Sequence, residues 1–202
     1  MASKPIPEAL GIKEILRVGN LYAEPEVRAL YYFLYLTGCR ISEALKVRVR
    51  DIEFLQDKQL GDVMKVHLFT LKNRRSKFRD VPVLIRDHEK TMVEYILKFI
   101  GSQKRDPDSF LFFISRTNAW NKLTQVEIIV RAAQGTKVIE DMQLRIHPHF
   151  LRHCRATYLV QELNVPESQL VRFMGWSNSD PAQIYLHLNW FDIARSMARR
   201  SE

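Results

Sequence analysis

Cysteine is scarce in this sequence of 202 residues, which contains only Cys39 and Cys154, far apart in the chain. Their spacing does not suit a zinc cluster, and so little cysteine is typical of a reduced intracellular protein. No apolar run is long enough to cross a bilayer, and the start MASKPIPEAL lacks the apolar core of a signal peptide. No Gly-rich phosphate loop or internal repeat occurs. These absences favour a cytoplasmic protein that does not span a membrane.

Basic residues outnumber acidic ones: Lys and Arg total 31 against 23 Asp and Glu, which gives a net charge of +8. The hydrophobic share of 46% is that of a folded globule rather than of a disordered chain. A moderate basic excess in a folded protein favours a polyanionic partner such as double-stranded DNA.

Hydrophobic periodicity predicts a mainly helical α+β fold with a small three-stranded antiparallel sheet. A period of two predicts strands in VRVRDIEF, DVMKVHLF and FRDVPVLI. Strands and helices do not alternate along the chain as a parallel sheet requires. DPDSFLFFISRTN is predicted as a loop. Helical spacing, often with Pro at the start and Gly at the end, predicts helices in PEALGIKEILRVG, EPEVRALYYFLYLTG, SEAL, RDHEKTMVEYILKFI, TQVEIIVRAAQG, HFLRHCRATYLVQEL, VPESQLVRFMG, DPAQIYLHL and WFDIARSMARR.

The stretch TGCRISEAL places Arg40 just after a predicted helix end and Glu43 three residues later. On a restarted helix the two share a face, so the carboxylate could hold the guanidinium in one orientation. An ordinary surface ion pair is the alternative.

A cluster of basic residues lies between two predicted strands, in TLKNRRSKFRDVPV. It is either a solvated hairpin tip or a basic finger that reaches towards DNA. Its members are Lys72, Arg74, Arg75, Lys77 and Arg79.

The stretch HPHFLRHCRATYLV is unusually rich in basic groups for a helix with an apolar stripe. His149 and Arg152 are three residues apart and share a face, whereas His153 and Arg155 are predicted to point elsewhere. A metal site formed by His147, His149 and His153 is an alternative, but no carboxylate or Cys follows at ligand spacing. The other alternative is a capped core helix with incidental histidines.

The stretch MGWSNSDPAQIYLHLN contains Trp176 and Tyr185, which could simply be core aromatics. Together, however, these segments supply the groups needed for phosphoryl transfer without a metal. Guanidinium groups match two phosphate oxygens, Lys and His move protons, and a Tyr hydroxyl can attack phosphorus.

These four segments resemble, in order, the conserved boxes of the tyrosine recombinases, or phage-type integrases, in their catalytic domain. TGCRISE resembles the first Arg box, LKNRRSKFRDVPV the hairpin with the catalytic Lys, HPHFLRH the His-x-x-Arg box, and MGWSNSDPAQIYLHLN the box with the nucleophile. The resemblance covers about residues 20 to 195 and implies that family's fold.

The resemblance also implies roles. Arg40 and Arg152 would hold the non-bridging oxygens of the scissile phosphate, and His149 would assist proton transfer. Tyr185 would attack and form a 3′-phosphotyrosyl link. Trp176 occupies a position that is usually His, where its indole can only donate a hydrogen bond.

Lys72 would be the general acid that protonates the leaving oxygen. The hairpin turn is one residue longer than is common in the family, so Arg74 and Lys77 compete for this role. Glu43 resembles the acidic residue of the first box, and Arg74, Arg75, Lys77 and Arg79 would contact DNA. No nucleotide cofactor is expected, because breaking one phosphodiester to make another conserves bond energy. No metal is expected either, because the Arg, Lys, His and Tyr side chains supply the positive charge and the proton transfers.

The implied organisation is an N-terminal extension or linker over residues 1–20 and a catalytic domain over residues 21–202. A separate N-terminal domain that clamps the DNA, which typical members carry, is not expected. We expect a monomer in free solution and a homo-tetramer on paired DNA sites. A type IB topoisomerase and a non-catalytic DNA-binding protein with the same fold are the alternatives.

Overall fold

A computed structural model describes residues 6–70, 77–134 and 137–185 of the protein. The helices in these ranges are α1 (Ile12–Gly19), α2 (Pro25–Thr37), α3 (Ile41–Ala44), α4 (Asp87–Gln103), α5 (Arg116–Leu123), α6 (Pro148–Gln161), α7 (Glu167–Met174) and α8 (Asp180–Gln183). None of them is long and apolar enough to cross a membrane. The helix predicted in WFDIARSMARR lies outside the described residues.

The strands in the described residues form two antiparallel sheets. One has the order β2-β3-β4 and the other β1-β5-β6. Their bounds are β1 (Ile6–Pro7), β2 (Ile52–Asp57), β3 (Gly61–Thr70), β4 (Lys77–Leu84), β5 (Glu127–Gln134) and β6 (Lys137–Arg145).

The first sheet confirms the three strands predicted from the alternating pattern, except that Val49–Asp51 in the first predicted segment forms a short 3-10 helix and β2 begins only at Ile52. On β3 the side chains of Val66 and Leu68 are buried, and so are Val81 and Val83 on β4. Val66 pairs directly with Val81 across the two strands. Because successive side chains of a strand point to opposite faces, this spacing places one face of the sheet on the core.

The second sheet was not predicted, and the helix expected in TQVEIIVRAAQG is wrong. Glu127–Gln134 is strand β5, which pairs with β6 and shifts register between Ala132 and Ala133. The run Ile128, Ile129 and Val130 is β-branched, and such side chains favour a strand once a partner strand is available. The periodicity of a single segment does not reveal its partner strand, and for this reason a helix was wrongly predicted here.

Helix α2 is the centre of the core. Ten of its residues are buried, and it packs against both α4 and α6. A helix that is apolar on all sides must be enclosed, which explains the run VRALYYFLYLT. The predicted Pro25 at its start and Gly38 at its end are confirmed. Because α2 is enclosed, it fixes the position of residues 38–40, which follow it directly.

Helix α1, which lies within the N-terminal extension or linker expected over residues 1–20, contributes to the same core. Ile15 is fully buried and Val18 nearly so. The Tyr31 hydroxyl donates a hydrogen bond to the Ile15 carbonyl oxygen at 3.1 Å. Residues 12–19 are therefore packed with the domain rather than leading up to it. A further difference is α5, which begins within the segment predicted as a loop.

Candidate active site

Arg40 and Glu43 form the first part of the site. Arg40 precedes α3, and its backbone N–H donates to Glu43 Oε2 at 2.9 Å while its Nη1 donates to Oε1 at 3.0 Å. The Glu43 side chain is buried, whereas that of Arg40 is 23% exposed. The carboxylate therefore holds the guanidinium of Arg40 in one orientation beside α3.

Arg79, which is expected from the sequence to contact DNA, lies beside Glu43 and Phe173. Its Nη1 and Nη2 donate to the two carboxylate oxygens of Glu43, at 3.2 and 3.0 Å, and its Nε donates to the Phe173 carbonyl oxygen at 3.1 Å. Only 9% of its side chain is exposed. The side chain turns inward because a buried carboxylate requires compensating charge.

The Glu43 carboxyl is shared by two guanidinium groups. Burial raises its pKa, but the hydrogen bonds and charge of Arg79 and the contacts with Arg40 outweigh burial and lower the pKa below its usual value. Glu43 is therefore ionised at neutral pH. Two cations and one anion leave this cluster with a net positive charge.

Arg152 lies on α6 and is almost fully buried. Its Nη2 donates to the Met174 carbonyl oxygen at 2.6 Å, and its Nη1 donates to the Gly38 carbonyl oxygen. Burial and the nearby positive charge of Arg40 lower its pKa to about 10, so it stays protonated at neutral pH. Its guanidinium carbon lies 5.5 Å from the centre of the Trp176 ring.

Both carbonyl partners of Arg152 are at helix C-termini. Gly38 ends α2 with a φ of 57°, and Met174 is the last residue of α7. The C-terminal end of a helix carries partial negative charge, so it stabilises a guanidinium there. Two helix ends thus compensate a buried cation.

Trp176 and Tyr185 lie against each other next to Arg152. Their ring centroids are 5.9 Å apart with planes 14° from parallel. Both rings are partly buried against a small cluster of apolar residues from α6, α7 and α8. The short helix α8 ends two residues before Tyr185, whose backbone N–H donates to the Ala182 carbonyl oxygen at 2.9 Å.

The hydroxyl of Tyr185 lies 3.4 Å from His153 Nδ1. Burial raises the pKa of Tyr185, and the charge of Arg152 opposes that rise. His153 was predicted to point away from the site, so its place beside the hydroxyl was missed. Its position four residues after His149 on α6 was the available signal.

His149 is exposed at the start of α6 and is influenced by several cations. Partial desolvation and the charges of Arg152, Arg40 and Arg116 lower its pKa below the usual 6.5. The imidazole is therefore neutral at neutral pH and can accept a proton. Arg116, the first residue of α5, was not singled out in the sequence because α5 was not predicted.

Three of the predicted site residues, Lys72, Arg74 and Arg75, lie outside the described residues. Lys77 opens β4 and pairs in register with Thr70 of β3.

His147 caps α6, since its Nδ1 accepts the Phe150 backbone N–H at 3.2 Å. Among the described residues no group of three His, Cys, Asp or Glu side chains is placed to hold a metal ion.

Several known proteins are similar to this chain. Residues 12–190 match the model described as the phage integrase family. The tyrosine recombinase XerC of Bacillus pumilus is 29% identical over 188 residues, which are 88% of this chain and 55% of the relative. The chain spans a little over half the length of the curated relatives it matches.

Solved recombinase structures share the fold. XerH bound to its difH substrate superimposes with a TM-score of 0.60 at 17% identity, over 94% of this chain and 53% of that one. The XerA recombinase gives a TM-score of 0.60 at 19% identity, over 99% of this chain and 67% of that one. The predicted fold, mainly helical with a three-stranded antiparallel sheet, is confirmed.

Proposed function

The chain belongs to the phage integrase family of tyrosine recombinases, and from this premise we propose that it is the catalytic part of a site-specific DNA recombinase. It cleaves and rejoins DNA through a 3′-phosphotyrosyl intermediate. Its substrate is double-stranded DNA, on which it assembles as a tetramer from free monomers, in the cytoplasm of a prokaryote or a viral host. The Tn1549 transposon integrase, which shares the fold with a TM-score of 0.55, is solved in complex with transposon right end DNA, and this supports DNA as the ligand.

The observation that carries the proposal is the contact of Trp176 with both Arg152 and Tyr185. Trp176 thus links the Tyr185 ring to the buried guanidinium of Arg152, whose charge also acts on the Tyr185 hydroxyl. Arg40, which is partly exposed, adds a second guanidinium whose charge acts on Arg152. Preorganised positive charge is the largest source of rate in phosphoryl transfer without covalent help from a cofactor.

In the proposed reaction the Tyr185 oxygen bonds to phosphorus and the bond from phosphorus to the 5′ oxygen breaks. Arg40 and Arg152 stabilise the negative charge on the non-bridging oxygens. His149, whose lowered pKa keeps it neutral, takes the tyrosine proton. Lys72 gives a proton to the leaving 5′ oxygen. Rejoining runs the same steps backwards, with a 5′-hydroxyl as the nucleophile.

Covalent trapping tests the proposal. The protein is incubated with a random-sequence library of nicked duplexes, from which the cleaved 5′ end diffuses away. We expect an adduct that survives SDS with the wild type and none with Tyr185→Phe, which still retards DNA in a gel. Tyr158→Phe is the matched control, since that ring packs on Arg155 elsewhere on α6, and it should form the adduct.

An absence of adduct with every variant would leave a DNA-binding protein without catalysis. An adduct with Tyr185→Phe would move the nucleophile to another tyrosine. A strand-exchange assay then separates a recombinase from a topoisomerase, which relaxes supercoiled DNA without exchanging strands.

A further inference from the structure

Arg79 joins three parts of the candidate site that are far apart in the chain. It projects from β4, the strand that follows the basic hairpin segment. Its two Nη atoms contact the carboxylate of Glu43, which in turn holds Arg40. Its Nε donates to the carbonyl oxygen of Phe173, next to the Met174 carbonyl that accepts from Arg152.

We propose that Arg79 is a positioning residue for DNA cleavage, which orients the Arg40 guanidinium through Glu43 and ties β4 to the end of α7. This inference rests on the proposed cleavage reaction. Arg79 does not touch the phosphate in this role; its contribution is to fix the carboxylate that Arg40 binds.

The two contacts of Arg79 with Glu43 restrict the carboxylate more than Arg40 alone could. Arg40 donates from its backbone and from one Nη atom, both within a single turn of chain. Arg79 approaches from another element and contacts both oxygens, a planar two-pronged geometry that resists rotation of the carboxylate. With the carboxylate fixed, Arg40 has one preferred orientation, and its 23% exposed side chain can present N–H groups to a phosphate.

The backbone at Gly175 supports this role because it approaches the Arg79 guanidinium closely. A Cβ atom at Gly175 would lie 2.7 Å from Arg79 Nη1 and 2.8 Å from its central carbon. Gly175 also has a φ of 64°, a conformation that glycine adopts without strain. The residue before Trp176 therefore makes room for the guanidinium, and the Trp176 segment is packed on the same group that holds Glu43.

A coupling experiment tests the proposal. Single-turnover cleavage of the trapping duplex is measured at saturating protein for Arg79→Ala and Arg79→Lys, each alone and combined with Arg40→Ala. We expect Arg79→Ala to slow cleavage at least about tenfold, with DNA affinity retained, since a positioning group acts on the transition state. Lysine keeps the charge but offers one ammonium for three acceptors, so Arg79→Lys should remain impaired.

The background of Arg40→Ala separates positioning from a general loss of structure. If Arg79 acts through Arg40, its substitution should slow the Arg40→Ala protein by about threefold or less, because coupled residues are not additive. A damaged fold would slow both backgrounds equally. Arg172→Ala, an exposed arginine on α7 next to Phe173, is the matched control and should cleave at the wild-type rate.

The outcomes distinguish this inference from the proposed function. Normal cleavage by Arg79→Ala, or equal slowing in both backgrounds, overturns the positioning role. The recombinase assignment is unaffected by either result, provided that the wild-type protein cleaves DNA. A wild type that forms no adduct overturns both. If Arg79→Ala fails to fold, Arg79→Lys decides: wild-type cleavage by that variant removes the requirement for the two-pronged contact.

Discussion

Arg152 donates a hydrogen bond to the carbonyl oxygen of Gly38, the left-handed residue that ends α2. Together with the bond to the Met174 carbonyl, this uses two of the five guanidinium N–H groups. Among the described residues its hydrogen-bond partners are backbone carbonyls, so its charge is compensated by helix ends rather than by a carboxylate. The guanidinium can therefore hold a phosphate without first breaking an ion pair.

We expect Arg152→Ala and Arg40→Ala each to slow DNA cleavage at least about a hundredfold, the scale of losing one transition-state donor. Single-turnover adduct formation on the nicked duplex is the measurement, with thermal unfolding as a check on the fold. A variant that cleaves within a few-fold of wild type would remove that arginine from the phosphate site.

Three glycine substitutions separate backbone strain from steric clash. A Cβ at Gly61, with a φ of 78°, meets nothing within 4 Å, so Gly61→Ala should cost only the left-handed strain of about 1–2 kcal/mol. Gly38→Ala should cost more, because its Cβ would also lie 2.9 Å from Met174 Sδ.

Urea unfolding measures the free energy of unfolding of all three variants, and Gly101→Ala should change it in the opposite direction. Gly101 lies in α4 with open space around it, so the alanine should raise the free energy of unfolding by about 0.5–1 kcal/mol. An equal cost for Gly38→Ala and Gly61→Ala would show that the Met174 contact relaxes freely.

The ion pair between Arg155 and Glu89 is buried, with side chains 2% and 6% exposed. Glu89→Ala should lower the free energy of unfolding by about 3–5 kcal/mol, because it leaves an uncompensated buried guanidinium. The control is Glu94→Ala, which removes an exposed pair with Lys90 and should cost at most about 0.5 kcal/mol. Similar losses for both variants would contradict the role of burial.

The stability of the domain should depend on pH through His147. Burial, and to a lesser extent His149, lowers the pKa of His147 below 6.5, and its Nδ1 must be unprotonated to cap α6. The unfolded state therefore binds the proton more readily. The stabilising contribution of neutral His147 is complete above about pH 6.5, the pKa of the unfolded state. It is lost as the pH falls through the lowered pKa of His147 in the folded state.

Chemical unfolding between pH 5 and pH 8, about 1.5 units either side of the unperturbed value, checks this prediction. His147→Asn keeps a capping side chain but does not titrate, so it should flatten the pH dependence. An unchanged slope in that variant would assign the dependence to other groups.

Most helices and the sheet β2-β3-β4 could be predicted from the sequence, because their signals are local. Pro25 and Gly38 mark the ends of α2, and the alternation through Val66 and Val81 marks a sheet face. Strand β5 could not be predicted in this way, since Ile128–Val130 fits a helix or a strand until its pairing with β6 decides.

The sequence by itself, through its residue types and their order, determined the family. It also determined the candidate site residues Arg40, Glu43, Arg152, Trp176 and Tyr185. Only the tertiary structure decided which of these groups meet and what else joins them. The sequence assigns Arg79 to DNA contact, and the fold pairs it with Glu43, 36 positions away, and with Phe173, 94 positions away. The sequence predicts that His153 points away from the site, yet it lies beside the Tyr185 hydroxyl. A motif encodes chemistry and helical register locally, whereas a buried charge takes its partner from whatever element the core packs against it.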